Sequence, residues 1–240
     1  MGTVLKGGLV NLNGVGWKHG LALTILGGPI MAILSYSGFL TAPLGHGALI
    51  QPSAAVLGGV VLAKLFLQET LPSSRVIGAL IIVFGLFVIG GEAVLTIGTH
   101  GLAGDLSFAA AGLSWAGFGV LIALWRVSSL HAVGIVSVLS LFTYLPLHWL
   151  IFGFDRIAAA GFYENLLQGL VQGILAGPAA VYLYTRAVNS LGGSRAAVFP
   201  ALVPGFTMLI GYVALGEVPS VVQLAGLAIV AMGFRFAMKS

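Results

Sequence analysis

The chain has 240 residues, of which 59% are hydrophobic and 7% charged, against roughly 25% charged in a soluble domain, and it has no cysteine. These values exclude a water-soluble globule, disulfides and thiolate chemistry, and they indicate a polytopic membrane protein. The formal charge of +4 comes from ten Lys and Arg spread one or two per loop, which makes no basic patch for nucleic acid and suits anionic lipid headgroups.

Residues 1–18 open the chain with no compact apolar run ending in a small-residue cleavage site, so they read as a loop and not as a secretory signal. Apolar runs of about the 20 residues that cross a bilayer then fall at 19 to 41, 45 to 67, 74 to 91, 104 to 126, 131 to 153, 166 to 187, 193 to 216 and 220 to 238. The expected fold is all-α with eight transmembrane helices. Its linkers carry the breakers: Thr41-Ala42-Pro43-Leu44-Gly45, Leu71-Pro72-Ser73-Ser74, Ser190-Leu191-Gly192-Gly193 and Val218-Pro219-Ser220. Ser220 with Gln223 has the spacing of a capping box at the start of the last helix. The 36 glycines fit helices that approach closely in lipid.

Eight helices return both ends to one side. Placing that side in the cytoplasm puts Lys6, Lys18, Lys64, Arg75, Arg126, Arg186, Arg195, Arg235 and Lys239 inside and only Arg156 outside, as the positive-inside rule asks. Both termini are therefore expected to be cytoplasmic.

Two stretches are written to nearly one plan. A shift of 148 lays Gly45 on Gly193, Ala48 on Ala196, Pro52 on Pro200, Leu67 on Leu215, Glu69 on Glu217, Gly78 on Gly226 and Gly85 on Gly233. A proline, a lone glutamate and several glycines in one register are the mark of a duplication. Five helices separate the helix starting near 19 from its copy starting near 166, and five is odd, so the copies cross the membrane in opposite directions. Inverted repeats of this kind are a recurrent plan of secondary transporters, whose substrate sits near the midplane between the halves.

The residues resemble the drug/metabolite transporter superfamily and its EamA-type repeat. Carrying the likeness are Leu67-Gln68-Glu69 with Val76-Ile77-Gly78-Ala79, the copy Leu215-Gly216-Glu217 with Leu224-Ala225-Gly226, and Gly104-Asp105-Leu106 with Ser114-Trp115-Ala116. The resemblance implies a ten-helix permease of the bacterial inner membrane, moving amino acids, metabolites or drugs, usually outward, without cofactor. It divides the chain into a first, incomplete repeat at 19–96 and a second at 104–238. Counterparts of the helices at 104 to 126 and 131 to 153 are missing from the first repeat. An N-terminally shortened gene product is the favoured reading; the others are a helix pair supplied by another chain, with a homodimer as one form, or sufficiency of eight helices.

Each candidate residue has a structural and a functional reading. Glu69 and Glu217 stand before the Pro and Ser that start the next helix, where a negative charge suits the dipole; they are read as loop charges or caps, not proton carriers, and Asp105 as a cap of its own helix. Pro52, Pro200 and Pro204 lie inside spans, where proline removes a backbone hydrogen bond, and are candidate kinks or hinges. Gln51 lies deep enough to need a partner and is a candidate cavity residue. His46 is another, although its place near the outer face also lets it be simply solvated. Tyr36, Trp115, Tyr182 and Tyr184 lie within helices and offer the apolar walls and polar tips of a small-solute cavity. No histidine has a spaced acidic or histidine partner, so neither an enzyme nor a metal site is expected. Substrate and lipid bilayer are the expected partners.

Overall fold

The computed structural model describes residues 11–239; Lys6 and the first ten residues of the opening segment lie outside the described part. Among the described residues seven helices are long and apolar enough to cross a membrane: α1 (Trp17–Thr41), α2 (Leu44–Phe66), α3 (Ser73–Gly90), α4 (Leu102–Trp125), α5 (Ser129–Phe152), α6 (Phe162–Leu191) and α7 (Gly193–Leu215). An eighth apolar helix, α8 (Val221–Ala237), is shorter and packs along α3. The expected spans recur within a few residues, and α6 is longer at both ends than its apolar run suggests. Large apolar side chains such as Leu40, Phe142, Leu150 and Val213 are exposed on the outside of the bundle, as suits contact with lipid and not water.

Two of the helices are broken where the sequence places its breakers. In α1 the run stops at Gly28 and restarts with Pro29 at its first position. Such a break frees carbonyls that lipid cannot satisfy, and the Ser114 hydroxyl of α4 donates to the Leu26 carbonyl at 2.9 Å. In α7 a first turn, Gly193–Ala196, gives way to a 3₁₀ turn at Phe199–Leu202 before the α-helix resumes at Val203. Pro200 and Pro204 fall in the first turns of these last two pieces, where a missing N–H costs little. Pro52, by contrast, lies inside an unbroken α2. Within α6 the stretch Val171–Ala179, which contains Pro178, is wound as a π-helix, so the chain absorbs that proline by widening the turn.

Two apolar cores form, and the space between them becomes the site. One joins α1, α4, α5 and α6 through Leu23, Phe118, Ile122, Val136, Val181 and Tyr184. The other joins α2, α3, α7 and α8 through Leu49, Val56, Ile82, Val198 and Val230. In the second, α3 and α8 touch backbone to backbone. A Cβ on Gly85 would stand 3.0 Å from the Gly226 carbonyl, one on Gly226 equally far from the Gly85 carbonyl, and one on Gly233 2.8 Å from the Gly78 carbonyl.

Candidate functional site

A cavity of about 560 Å³ lies between the two cores. Met31 and Phe39 of α1, Gln51, Pro52 and Ala55 of α2, Trp115 of α4, Tyr184 of α6 and Pro200, Val203 and Thr207 of α7 line it, so five helices contribute. Its size falls within the roughly 300–1,000 Å³ of small-molecule sites, and its walls follow their usual chemistry, mostly apolar with a few polar tips. The rings of Trp115 and Tyr184 pack with centroids 4.6 Å apart and planes tilted by 37°. Gln51 lines this space, and among the described residues its amide makes no hydrogen bond to protein.

The order of the helices gives the bundle a terminal face, carrying the loops after α2, α4 and α6, and an opposite face carrying those after α1, α3, α5 and α7. Residues 31–39 of α1, 44–55 of α2 and 199–207 of α7 place the cavity in the middle and toward the opposite face. On the terminal side small residues seal it, with Ala197 of α7 packed onto Gly59 of α2.

Beneath that seal lies a polar network. Glu69, in the loop after α2, accepts from the Gly193 N–H at 3.0 Å and from the Ser194 hydroxyl at the start of α7. Arg75 of α3 donates to the same hydroxyl at 3.0 Å and stands 3.7 Å from the Glu69 carboxylate. The expected role of Glu69, a charge favouring the helix that follows it, is corrected here. Gln68 takes a left-handed backbone (φ 52°), which turns the carboxylate away from α3 and onto the start of α7. Arg195, expected at the headgroups, is half-buried. Glu217 is exposed, and Ser220 caps α8 in its stead through the expected capping box with Gln223.

A second network lies at the opposite face, and it corrects two further expectations. His46, a candidate cavity residue, is fully buried, and it is neither solvated nor among the residues that line the cavity. Its Nδ1 is 2.6 Å from the Asp105 carboxylate, and its Nε2 is 2.9 Å from the Thr96 hydroxyl. Asp105 does not cap α4: the capping position is Gly101 in a left-handed conformation, and the carboxylate turns back to accept from the Gly98 N–H at 2.7 Å. The two residues are 59 positions apart, so no local spacing announces the pair; only the packing of the first turns of α2 and α4 makes it.

The aromatic expectations divide in the same way. Trp115 and Gln51 line the cavity, whereas Tyr36 stands 56% exposed on the bundle surface. Of the two candidates Tyr182 and Tyr184, Tyr184 lines the cavity and Tyr182 does not. Two residues apart on a helix point about 200° from each other, so only one of that pair faces the cavity, and Tyr182 is only half-buried outside its lining.

Among curated proteins no match is found. A solved crystal structure whose name states no function is similar over 98% of this chain and 82% of its own, with a TM-score of 0.72 and 20% sequence identity, which establishes a shared fold. The model of the EamA-like transporter family matches residues 102–238, α4 through α8 and more than half of the sequence, and the chain belongs to that family.

Proposed function

We propose that this protein is a secondary transporter that carries a small organic solute, such as an amino acid, metabolite or drug, outward across the bacterial inner membrane by alternating access. The observation that carries the reading is the cavity itself: five helices, drawn from both sides of the sequence repeat, enclose a space of about 560 Å³ near mid-depth, where inverted-repeat transporters bind substrate. Membership of a transporter family supports transport over catalysis. Export is the direction that the resemblance implies.

The test is flux in vesicles. Purified protein in liposomes preloaded with a panel of labelled amino acids and amphipathic drugs is expected to release at least one faster than empty liposomes, and a panel that moves at the background rate throughout would sink the reading. For the solute that moves, Gln51→Leu and Tyr184→Phe each remove the polar group of a residue that lines the cavity. Each is expected to lower flux or raise the half-saturating concentration by roughly two- to tenfold, the worth of one hydrogen bond, with unchanged yield. Equal flux with reduced yield would make both residues packing elements.

Orientation follows from the charge split. With nine of ten Lys and Arg on the terminal side, the reading places that side in the cytoplasm. A reporter active only in the periplasm, fused after Ser240, is expected to stay silent, and one fused after the α5 segment to be active. The reverse pattern would invert the assignment.

A further inference from the structure

The Glu69 site at the terminal face has a twin at the opposite face. Gln68 and Gly216 both take left-handed backbone, with φ 52° and 71°. Beyond them the Glu69 N–H donates to the Ala63 carbonyl at 3.4 Å and the Glu217 N–H to the Gly211 carbonyl at 3.2 Å. Every partner in the second turn is its counterpart plus 148. The glycine crossing of α3 and α8 obeys the same relation, since the contact of Gly78 with Gly233 maps onto that of Gly226 with Gly85. The two glutamates are thus presented by equivalent turns on a bundle whose centre is two-fold.

Their surroundings differ. Glu69 is docked on Gly193 and Ser194 with Arg75 behind it. Adding or subtracting 148 gives what Glu217 would meet: Gly45 and His46 at the start of α2, with Gln223 in place of Arg75. There the site is empty. The capping position of α2 is Pro43, with no side-chain cap; the Glu217 side chain is exposed; and a second cavity, of about 280 Å³, lies between Gly45 and Gln223.

We propose that Glu69 and Glu217 are alternating latches: Glu217 closes onto the Gly45 N–H at the start of α2 when Glu69 releases Gly193 and Ser194. His46 is already held by Asp105 and Thr96, so the donors for Glu217 are the Gly45 backbone and the Gln223 amide. Only the Oε1 of that amide is engaged, accepting from the Ser220 N–H at 2.8 Å. Each docked carboxylate sits at a helix N-terminus, where the dipole favours it. An inverted repeat gives the two latched states related geometries, and the described structure is the one latched at the terminal face. The proposal rests on the transporter reading for its purpose but not for its test.

Because the chain has no cysteine, pairs of thiols can be introduced without removing any. In the full chain reconstituted in lipid, E69C/S194C and E217C/L44C are each expected to form an intramolecular disulfide with copper phenanthroline. Leu44 is 74% exposed beside Gly45. The variant carrying both pairs is expected to yield molecules with one disulfide and few with two, counted by intact mass. An E217C/L44C pair that stays reduced while E69C/S194C oxidises would overturn the proposal, and so would frequent double disulfides. A second readout needs no cross-link. Thr207 lines both cavities, so the maleimide reactivity of T207C reports access from the opposite face. Added E69Q is expected to lower it and E217Q to raise it, by about two- to fivefold each, the effect of losing one charge at a helix terminus. Shifts in the same direction, or none, would overturn the proposal. Alternating disulfides without solute flux would leave the latches standing and remove the transporter reading; flux with a silent outer pair would do the reverse.

Discussion

Gly233→Val is expected to destabilise the folded protein severely, and Gly85→Val to do nearly the same. A Cβ at Gly233 would lie 2.7 Å from the Ile82 backbone nitrogen and 2.8 Å from the Gly78 carbonyl, and one at Gly85 would lie 2.8 Å from the Val230 backbone nitrogen. These obstacles are backbone, so no side-chain rotation relieves them, and α3 and α8 must separate. Overpacking costs about 1–3 kcal/mol where side chains can yield; here the upper end or beyond is expected, against a total stability of about 5–15 kcal/mol. Gly169→Ala, at a site with nothing within 4 Å, is the control and is expected to be neutral or slightly stabilising, since alanine favours a helix over glycine. Size-exclusion profiles of fluorescent fusions and thermal melts in detergent measure both. Monodisperse Gly233→Val protein that melts with the parent would show that α3 and α8 do not cross as described.

These glycines were legible in the sequence as a register, not as a contact. The shift of 148 pairs Gly78 with Gly226 and Gly85 with Gly233, but in space Gly78 meets Gly233 and Gly85 meets Gly226. Antiparallel helices related by a two-fold exchange their partners, and that follows only once the direction of each helix is set. Helix positions were legible for a simpler reason: lipid demands a continuous apolar run of fixed length, and most runs end at a proline or glycine, α4 being an exception that ends at Arg126.

The site was less legible because its polar groups are paired across large separations. Gln51 and Trp115 could be singled out, since a polar tip at mid-depth calls for a partner or a cavity wherever it sits. Tyr182 and Tyr184 could not be told apart, because the choice depends on the rotation of α6. The charged residues misled most. Glu69 reads locally as a favourable charge before α3, and Asp105 as a cap of α4, by the same dipole argument. Both in fact reach another segment: Glu69 the start of α7, 124 residues away, and Asp105 the ring of His46. Gln68, left-handed beside Glu69, aims that carboxylate, and Gly101, left-handed four residues before Asp105, opens α4. Gly101 could have hinted at that start, but nothing in the residue type of Gln68 hints at its turn.

His46→Leu is expected to be the most damaging single change of a polar residue, and a comparison of three variants shows why. The pair is sealed: His46 is 0% and Asp105 5% exposed. Removing the imidazole leaves Asp105 with the Gly98 N–H alone, at 2.7 Å, and an abandoned buried charge costs about 3–5 kcal/mol. Asp105→Asn keeps one acceptor oxygen for the Gly98 N–H, turns an amide N–H toward the Nδ1 of His46 and strands no charge, so it is expected to cost less, about 1–3 kcal/mol, the range for a disturbed buried hydrogen bond. The double change His46→Leu with Asp105→Leu removes the stranded charge along with its partner, so it is expected to melt above His46→Leu alone even though it alters one residue more. What the pair secures is visible in its contacts: through Thr96 and Gly98 it ties the loop after α3 to the first turns of α2 and α4, directly beside the start of α2 that the cavity uses. Cleavage of that loop by added protease in the folded protein is therefore expected to rise in His46→Leu before the protein as a whole unfolds. A double variant no more stable than His46→Leu, or a loop that stays resistant while the bundle melts, would show that the pair is not the fastening that its geometry indicates.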